Sequence, residues 1–136
     1  MSRLKEQLAW DNIKPDMAGR FIFKRIENQI GEATPDVIAR NNSGSTFWLE
    51  LKALDSWPKR RTTLPLKNAF EPGQVPFLRQ WIGSERLGLA FVLLRVAGIY
   101  YLLNPKLDIR EMTSEEIVDT AICSGKINVL AYLEQL

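Results

Sequence analysis

The sequence contains no histidine. That absence removes Ser-His-Asp triads, zinc sites built on imidazole and every hydrolytic scheme with a histidine general base, and it leaves carboxylates and lysines as the reactive groups. Cysteine is nearly as scarce. Cys123 stands alone, which excludes an internal disulfide framework, and with no imidazole to activate it the thiol reads as a small buried apolar residue rather than a nucleophile. No apolar stretch approaches the roughly twenty residues of a membrane-spanning helix. The opening Met1-Ser2-Arg3-Leu4-Lys5-Glu6 is no secretory signal, so a soluble, cytoplasmic protein without a membrane partner is expected. Charge of one sign is missing too: 18 Lys and Arg against 16 Asp and Glu leave a net charge of +2. The molecule as a whole is therefore no basic adhesive for polyanions, and any such affinity must come from where its cations sit. Internal repeats, low-complexity segments and linkers are absent as well. With 46% hydrophobic and 25% charged residues, the 136-residue chain has material for one core but not for two, and reads as a single domain spanning 1–136.

What is present is concentrated between Thr34 and Lys52. Thr34-Pro35-Asp36 is followed, after thirteen intervening residues, by Glu50-Leu51-Lys52. Asp36 opens the apolar run Val37-Ile38-Ala39, which ends in the turn-forming cluster Asn41-Asn42-Ser43-Gly44-Ser45, and Phe47-Trp48-Leu49 then leads into Glu50. This is the pattern of a hairpin. Side chains alternate along a strand, so Glu50 and Lys52 share a face while Leu51 points the other way, and the opposed strand can bring Asp36 to them. Two carboxylates are hard oxygen ligands suited to Mg²⁺, with Mn²⁺ as a substitute, and an ammonium beside them can position a water or offset transition-state charge. Thr-Pro-Asp is also an ordinary strand opening, and Glu-x-Lys an ordinary exposed pair. The flanks favour chemistry: Phe47, Trp48, Leu49 and Leu51 make the second strand apolar on both faces, where a Glu and a Lys need a reason to be.

The segment Trp57 to Lys67 places Lys59, Arg60, Arg61 and Lys67, with the hydroxyls of Thr62 and Thr63, shortly after this site. Such side chains grip a phosphate backbone without reading bases; as a loop apart from an acidic site they would read as merely solvated. Elsewhere the pattern predicts a helix over Arg3 to Ile13, a strand over Phe21 to Ile26, and a helix opening at Glu71-Pro72-Gly73, with Gln74 in its first turn and Val75, Leu78 and Ile82 at helical spacing. A central strand is predicted over Leu89 to Leu94 and a second strand over Ile99 to Leu103. Thr113-Ser114-Glu115-Glu116 forms a capping box ahead of Ile117, Val118, Ala121 and Ile122, and another helix runs from Ile127 to Leu133. Periodicity leaves open whether this tail covers the sheet or forms a subunit contact.

Pro35-Asp36 with Glu50-Leu51-Lys52 resembles the signature of the PD-(D/E)xK, restriction-endonuclease-like nucleases. The ordered series Gly31, Thr34-Pro35-Asp36, Glu50-x-Lys52, Pro65-Leu66-Lys67-Asn68 and Gln74 is similar to the RecU-type Holliday junction resolvases within them, over roughly residues 31 to 104. The resemblance implies an α/β (α+β) chain with a restriction-endonuclease-like core, a mixed β-sheet flanked by helices. It further implies Mg²⁺-dependent cleavage of DNA phosphodiester bonds, a branched or four-way junction as substrate, and a homodimer. By the same carry-over, Asp36 and Glu50 become metal ligands with the Leu51 carbonyl as a third. Lys52 becomes the group that helps activate water, Thr34 and Gln74 become supporting catalytic residues, and an additional acid comes from Glu6 or Glu27. The chain departs from the RecU pattern in Glu-Leu-Lys where Glu-Ala-Lys is favoured, in one residue fewer before the aspartate, and in a region before Gly31 too short for a junction-binding stalk. Its compactness is that of phage-encoded nucleases, which puts the expected cytoplasm in a bacterial or phage-infected cell. A structure-nonselective endonuclease of the same fold, a catalytically idle DNA-binding module and a structural interaction protein remain as alternatives.

Overall fold

A computed structural model describes residues 3–26 and 33–136. Its first element, α1 (Arg3–Met17), presents Trp10, Ile13 and Met17 along one stripe, all buried. The helix was expected to stop at Ile13. It runs through Pro15 because Met17, completely buried one turn after Ile13, anchors the last turn at the expense of one main-chain bond.

β1 (Phe21–Arg25) and β2 (Val37–Asn41) pair antiparallel, as do β2 and β3 (Thr46–Leu54), the predicted hairpin. A crossover containing α2 (Gln74–Ile82) carries the chain to β4 (Ala90–Val96), parallel to β3, and β5 (Ile99–Leu103) returns antiparallel. The sheet is mixed and six-stranded, in the order β1-β2-β3-β4-β5-β6, where β6 is Cys123–Ser124. A strand followed by a helix and a parallel neighbour is the standard way to bury both faces of a sheet. One face meets α1 and α4 (Lys126–Glu134) through Leu49, Leu51, Phe91, Leu93, Val129 and Leu133. The other meets α2 and α3 (Ser114–Thr120) through Val92, Leu94, Leu66, Leu78 and Ile117. The tail's buried residues therefore cover the sheet, on both faces. Among the described residues no helix is long and apolar enough to cross a membrane.

Three local expectations change. Pro72 is not at the first helical position: Gly73, in the left-handed region at φ +86°, separates it from a helix that opens on Gln74. Pro76, inside the first turn where main-chain N–H groups have no intrahelical partner, is the proline that the helix accommodates. The capping box forms as predicted, but α3 ends at Thr120 and Ala121-Ile122 do not extend it. Instead the Ile122 N–H donates to the Leu102 carbonyl at 2.8 Å, and Cys123–Ser124 add a two-residue edge strand, β6, to the open side of β5. Cys123 is accordingly half-buried rather than buried, and burial pushes its thiol up from its ordinary value.

One irregularity positions everything that follows. The β2–β3 ladder ends at Val37↔Leu49, whereas β3 continues beside β4 as far as Leu54. Past Leu49 the hairpin forks open, and among the described residues no strand pairs with this edge of β3.

Candidate active site

Asp36 stands at the fork. Its Oδ2 accepts the Leu51 N–H at 2.8 Å, replacing the ladder bond that β2 no longer supplies, while its carbonyl accepts from Ile26 N–H at 2.7 Å. The N–H and C=O of one strand residue face the same edge, so the Leu51 carbonyl opens on the side that β2 has left. The Leu51 side chain packs into the opposite, α1-side core, and Glu50 and Lys52 project onto the other face, as alternation requires. Glu6, in the first turn of α1, completes the group. Carboxylate oxygens of Glu6, Asp36 and Glu50 all lie within 4.8 Å of one another.

Three acids this close cannot all be comfortably ionised. Burial pushes the Glu50 carboxyl up to about 8; Asp36 adds to the rise and Lys52 opposes it. Glu6 is also raised, by burial first and by Asp36, again against Lys52. Lys52 Nζ lies 3.1 Å from Glu50 Oε2, an ion pair by distance, yet neither Glu50 oxygen receives an aligned hydrogen bond among the described residues. A carboxylate 1% exposed without a donor is a costly state that one bound cation would relieve. The donor set is all oxygen, three carboxyls and a backbone carbonyl, and fits a hard divalent ion such as Mg²⁺ or Mn²⁺, which Asp36 and Glu50 would hold with Glu6 and the Leu51 carbonyl in support.

Lys52 is itself 3% exposed. Besides Glu50 it lies 3.7 Å from Glu6 Oε1, donates to Gln74 Oε1 at 3.2 Å, and sits 5.0 Å from the centroid of the Phe70 ring. Gln74 is buried at the start of α2, and its Oε1 also accepts the Glu71 N–H at 2.9 Å, so it braces the loop against the lysine. Of the predicted residues, the structure thus brings together Asp36, Glu50, Lys52, Gln74 and Glu6. Thr34 is half-buried, and among the described residues no hydrogen bond or ion pair joins it to the cluster. Glu27 lies outside the described residues. Phe70 was not anticipated, because a lone aromatic in a loop carries no periodic signal.

Lys59, Arg60, Arg61, Thr62 and Lys67 all lie exposed in the crossover after β3, and Arg61 is 3.6 Å from Glu115 of α3. Among the described residues no hydrogen bond or ion pair ties them to the carboxylates of the cluster. Between this crossover and α1 runs an open groove of about 290 Å³, lined by Lys5, Ala53, Leu54, Leu64, Pro65 and Asn68. It adjoins the site in sequence on both walls, since Lys5 precedes Glu6 and Ala53 follows Lys52.

No family model matches the sequence, and no curated protein matches it. Among solved structures the fold is similar to that of Hjc, a Holliday junction resolvase from the archaeal hyperthermophile Archaeoglobus fulgidus, with a TM-score of 0.59 and 14% sequence identity. The match covers 95% of this chain and 99% of that one. At this identity the likeness establishes the fold: a restriction-endonuclease-like α/β core with a mixed sheet flanked by helices.

Proposed function

We propose that this protein is a divalent-metal-dependent DNA endonuclease, and that its substrate is a four-way junction cut by a homodimer. The observation that carries the reading is the meeting of Glu6, Asp36 and Glu50 within 4.8 Å beside a buried lysine, at a fork in the sheet. The fold likeness to an archaeal junction resolvase of nearly the same extent supports the choice of substrate. The RecU-type and phage assignments rest on the sequence resemblance alone.

A bound Mg²⁺ or Mn²⁺ would supply charge stabilisation at the phosphate and a water of lowered pKa. The chain's own residues do the rest. Asp36 is fixed by the Leu51 N–H through one oxygen, which leaves its other oxygen for the metal. Glu50, held in a dry position without an aligned donor among the described residues, would be favoured in its charged form beside a bound cation. Lys52 has three N–H donors; Glu50 and Gln74 lie within reach of two, and the third is available to a phosphate oxygen or the attacking water. In a site this buried such a donor stabilises developing negative charge more strongly than it would in water. Lys59, Arg60, Arg61 and Lys67 hold the backbone of the approaching arm, and the groove beside Lys5 and Asn68 takes the strand that leaves the site.

The test is cleavage of a labelled four-way junction and of a linear duplex carrying one arm sequence, with and without Mg²⁺, by wild type and Lys52→Ala. Paired symmetric nicks confined to the junction, lost without metal or Lys52, are the expected result. Equal cutting of both substrates would replace the resolvase with a structure-nonselective endonuclease, and metal-independent binding without any cutting would leave an idle DNA-binding module.

A further inference from the structure

The geometry points to Phe70 as the positioning residue for Lys52, an inference that rests on the nuclease reading and assigns a role to a side chain outside the acidic cluster. Two of the lysine's neighbours, Glu50 and Glu6, are the carboxylates that would serve a cation. Their hold on the ammonium must weaken once their charge is shared. The two partners independent of that sharing are neutral: Gln74 Oε1 at 3.2 Å and the Phe70 ring at 5.0 Å. They differ in kind. Gln74 occupies one N–H donor, whereas an aromatic face attracts the charge through its quadrupole and leaves the donors open to a substrate. Phe70 therefore orients the ammonium without consuming what the reaction uses.

The loop is built to keep the ring there. Leu66, fully buried in the same apolar cluster as Leu78 and Leu94, anchors the segment in the core, and the Ala69 N–H turns back onto the Leu66 carbonyl at 3.3 Å. Beyond the ring, Glu71 and Gln74 close a reciprocal bracket: Glu71 N–H donates to Gln74 Oε1 at 2.9 Å, and Gln74 N–H to the Glu71 carbonyl at 3.2 Å. Phe70 lies between these two fixings, packed against the α2-side core. Gly73 makes the turn into α2 at φ +86°, and a Cβ there would come within 3.1 Å of Ala33 Cβ, so the approach leaves little room for another residue.

The experiment compares wild type, Phe70→Leu and Phe70→Tyr. Leucine keeps a similar apolar volume and removes the π-face; tyrosine restores the face. Single-turnover and steady-state cleavage of the four-way junction at saturating Mg²⁺ should show kcat reduced about tenfold in Phe70→Leu, with KM within twofold, and kcat recovered in Phe70→Tyr. Proton–carbon NMR of protein carrying ¹³C-lysine supplies a readout that needs neither metal nor DNA. One lysine ε-methylene, assigned to Lys52 by its loss in Lys52→Ala, should be shifted upfield by the ring in wild type and Phe70→Tyr and return to the common position in Phe70→Leu. An unchanged kcat in Phe70→Leu, an equal loss in Phe70→Tyr, a loss carried by KM, or the absence of the ring shift would each overturn the assignment while the nuclease reading stands. A wild-type protein that cuts no DNA would overturn that reading and the role together, even with the ring shift present.

Discussion

The β2–β3 hairpin has two ends, and each buries a polar side chain. At the turn end, Asn41 is 3% exposed and fully employed: its Nδ2 donates to the carbonyls of Leu133, at 2.9 Å, and Leu136, at 3.2 Å, and its Oδ1 accepts the Ser45 N–H at 3.0 Å. At the forked end, Glu50 is 1% exposed, and among the described residues neither of its oxygens receives an aligned hydrogen bond, although Lys52 Nζ lies 3.1 Å from one of them. Burial is the same; satisfaction is opposite. Asn41 closes the hairpin and clamps carbonyls at the end of α4 and just beyond it, a structural use in which both the amide nitrogen and the amide oxygen have partners. Glu50 is held in a state that destabilises the fold on its own, which is the condition of a group waiting for a charge.

Replacing Glu50 gives the sharpest separation of the two ends. On the proposed reading Glu50→Gln removes a cation ligand, and cleavage should fall roughly a thousandfold or more. In metal-free buffer at pH 8 the same variant should melt higher than wild type, because a neutral amide lacks the penalty of a buried carboxylate. Calorimetry and a junction-cleavage assay on the same preparation check both halves. A variant that lost activity and stability together would make Glu50 as structural as Asn41.

The pH dependence of stability follows from the same group. In the unfolded chain Glu50 loses its proton near 4.5, while in the folded chain it keeps it to about 8. Between those values the native state binds more protons, so this contribution is fully present below pH 4.5 and is lost as pH rises toward 8, at about 1.4 kcal/mol per unit for a single group. The difference in unfolding free energy between Glu50→Gln and wild type, measured in chelator, should therefore widen in favour of the variant from pH 5 to pH 8. Millimolar Mg²⁺ should close the gap by stabilising wild type alone.

Asn41→Ala reverses the pattern. It strips the clamp from the α4 carbonyls and should lower unfolding free energy by about 1–3 kcal/mol in a denaturant titration. Cleavage per folded molecule should be unchanged, since Asn41 lies at the opposite end of the hairpin from the fork.

Only the forked end of this contrast could be read in the sequence, for reasons that differ by residue; Asn41 reads there as one member of a turn cluster, whereas it ends β2 buried. Glu50 and Lys52 were legible because strand alternation is rigid: two apolar neighbours on each side place both side chains on one face and make their burial an anomaly. Asp36 was legible through the turn cluster that fixes the hairpin. Glu6 was visible only as one of two candidates, because a helix that opens with Lys5 and Glu6 gives no periodic sign of which end meets the sheet. The fork could not be read at all, since a ladder that stops early depends on the path of β1 and β2 and not on any residue type. The edge strand β6 and the run of α1 past Pro15 escaped for a similar reason: a free sheet edge and a buried Met17 override what the local pattern favours.

The basic crossover carries the smallest effect on the fold and extends the contrast to a third kind of residue. Lys59, Arg60 and Arg61 are exposed, and the pair between Arg61 and Glu115 joins two well-solvated side chains, so it contributes little to stability. Their triple replacement by alanine should leave the melting temperature within a degree or two. If these cations hold phosphates, each releases about one counterion on binding, and the slope of log affinity against log salt should become shallower by roughly 2–3. Binding measured from 50 to 200 mM salt, with a metal that permits binding without cleavage, separates this from any loss at the fork. An unaltered slope would mean that the arm approaches by another face, and the groove beside Lys5 and Asn68 would then be the next surface to alter.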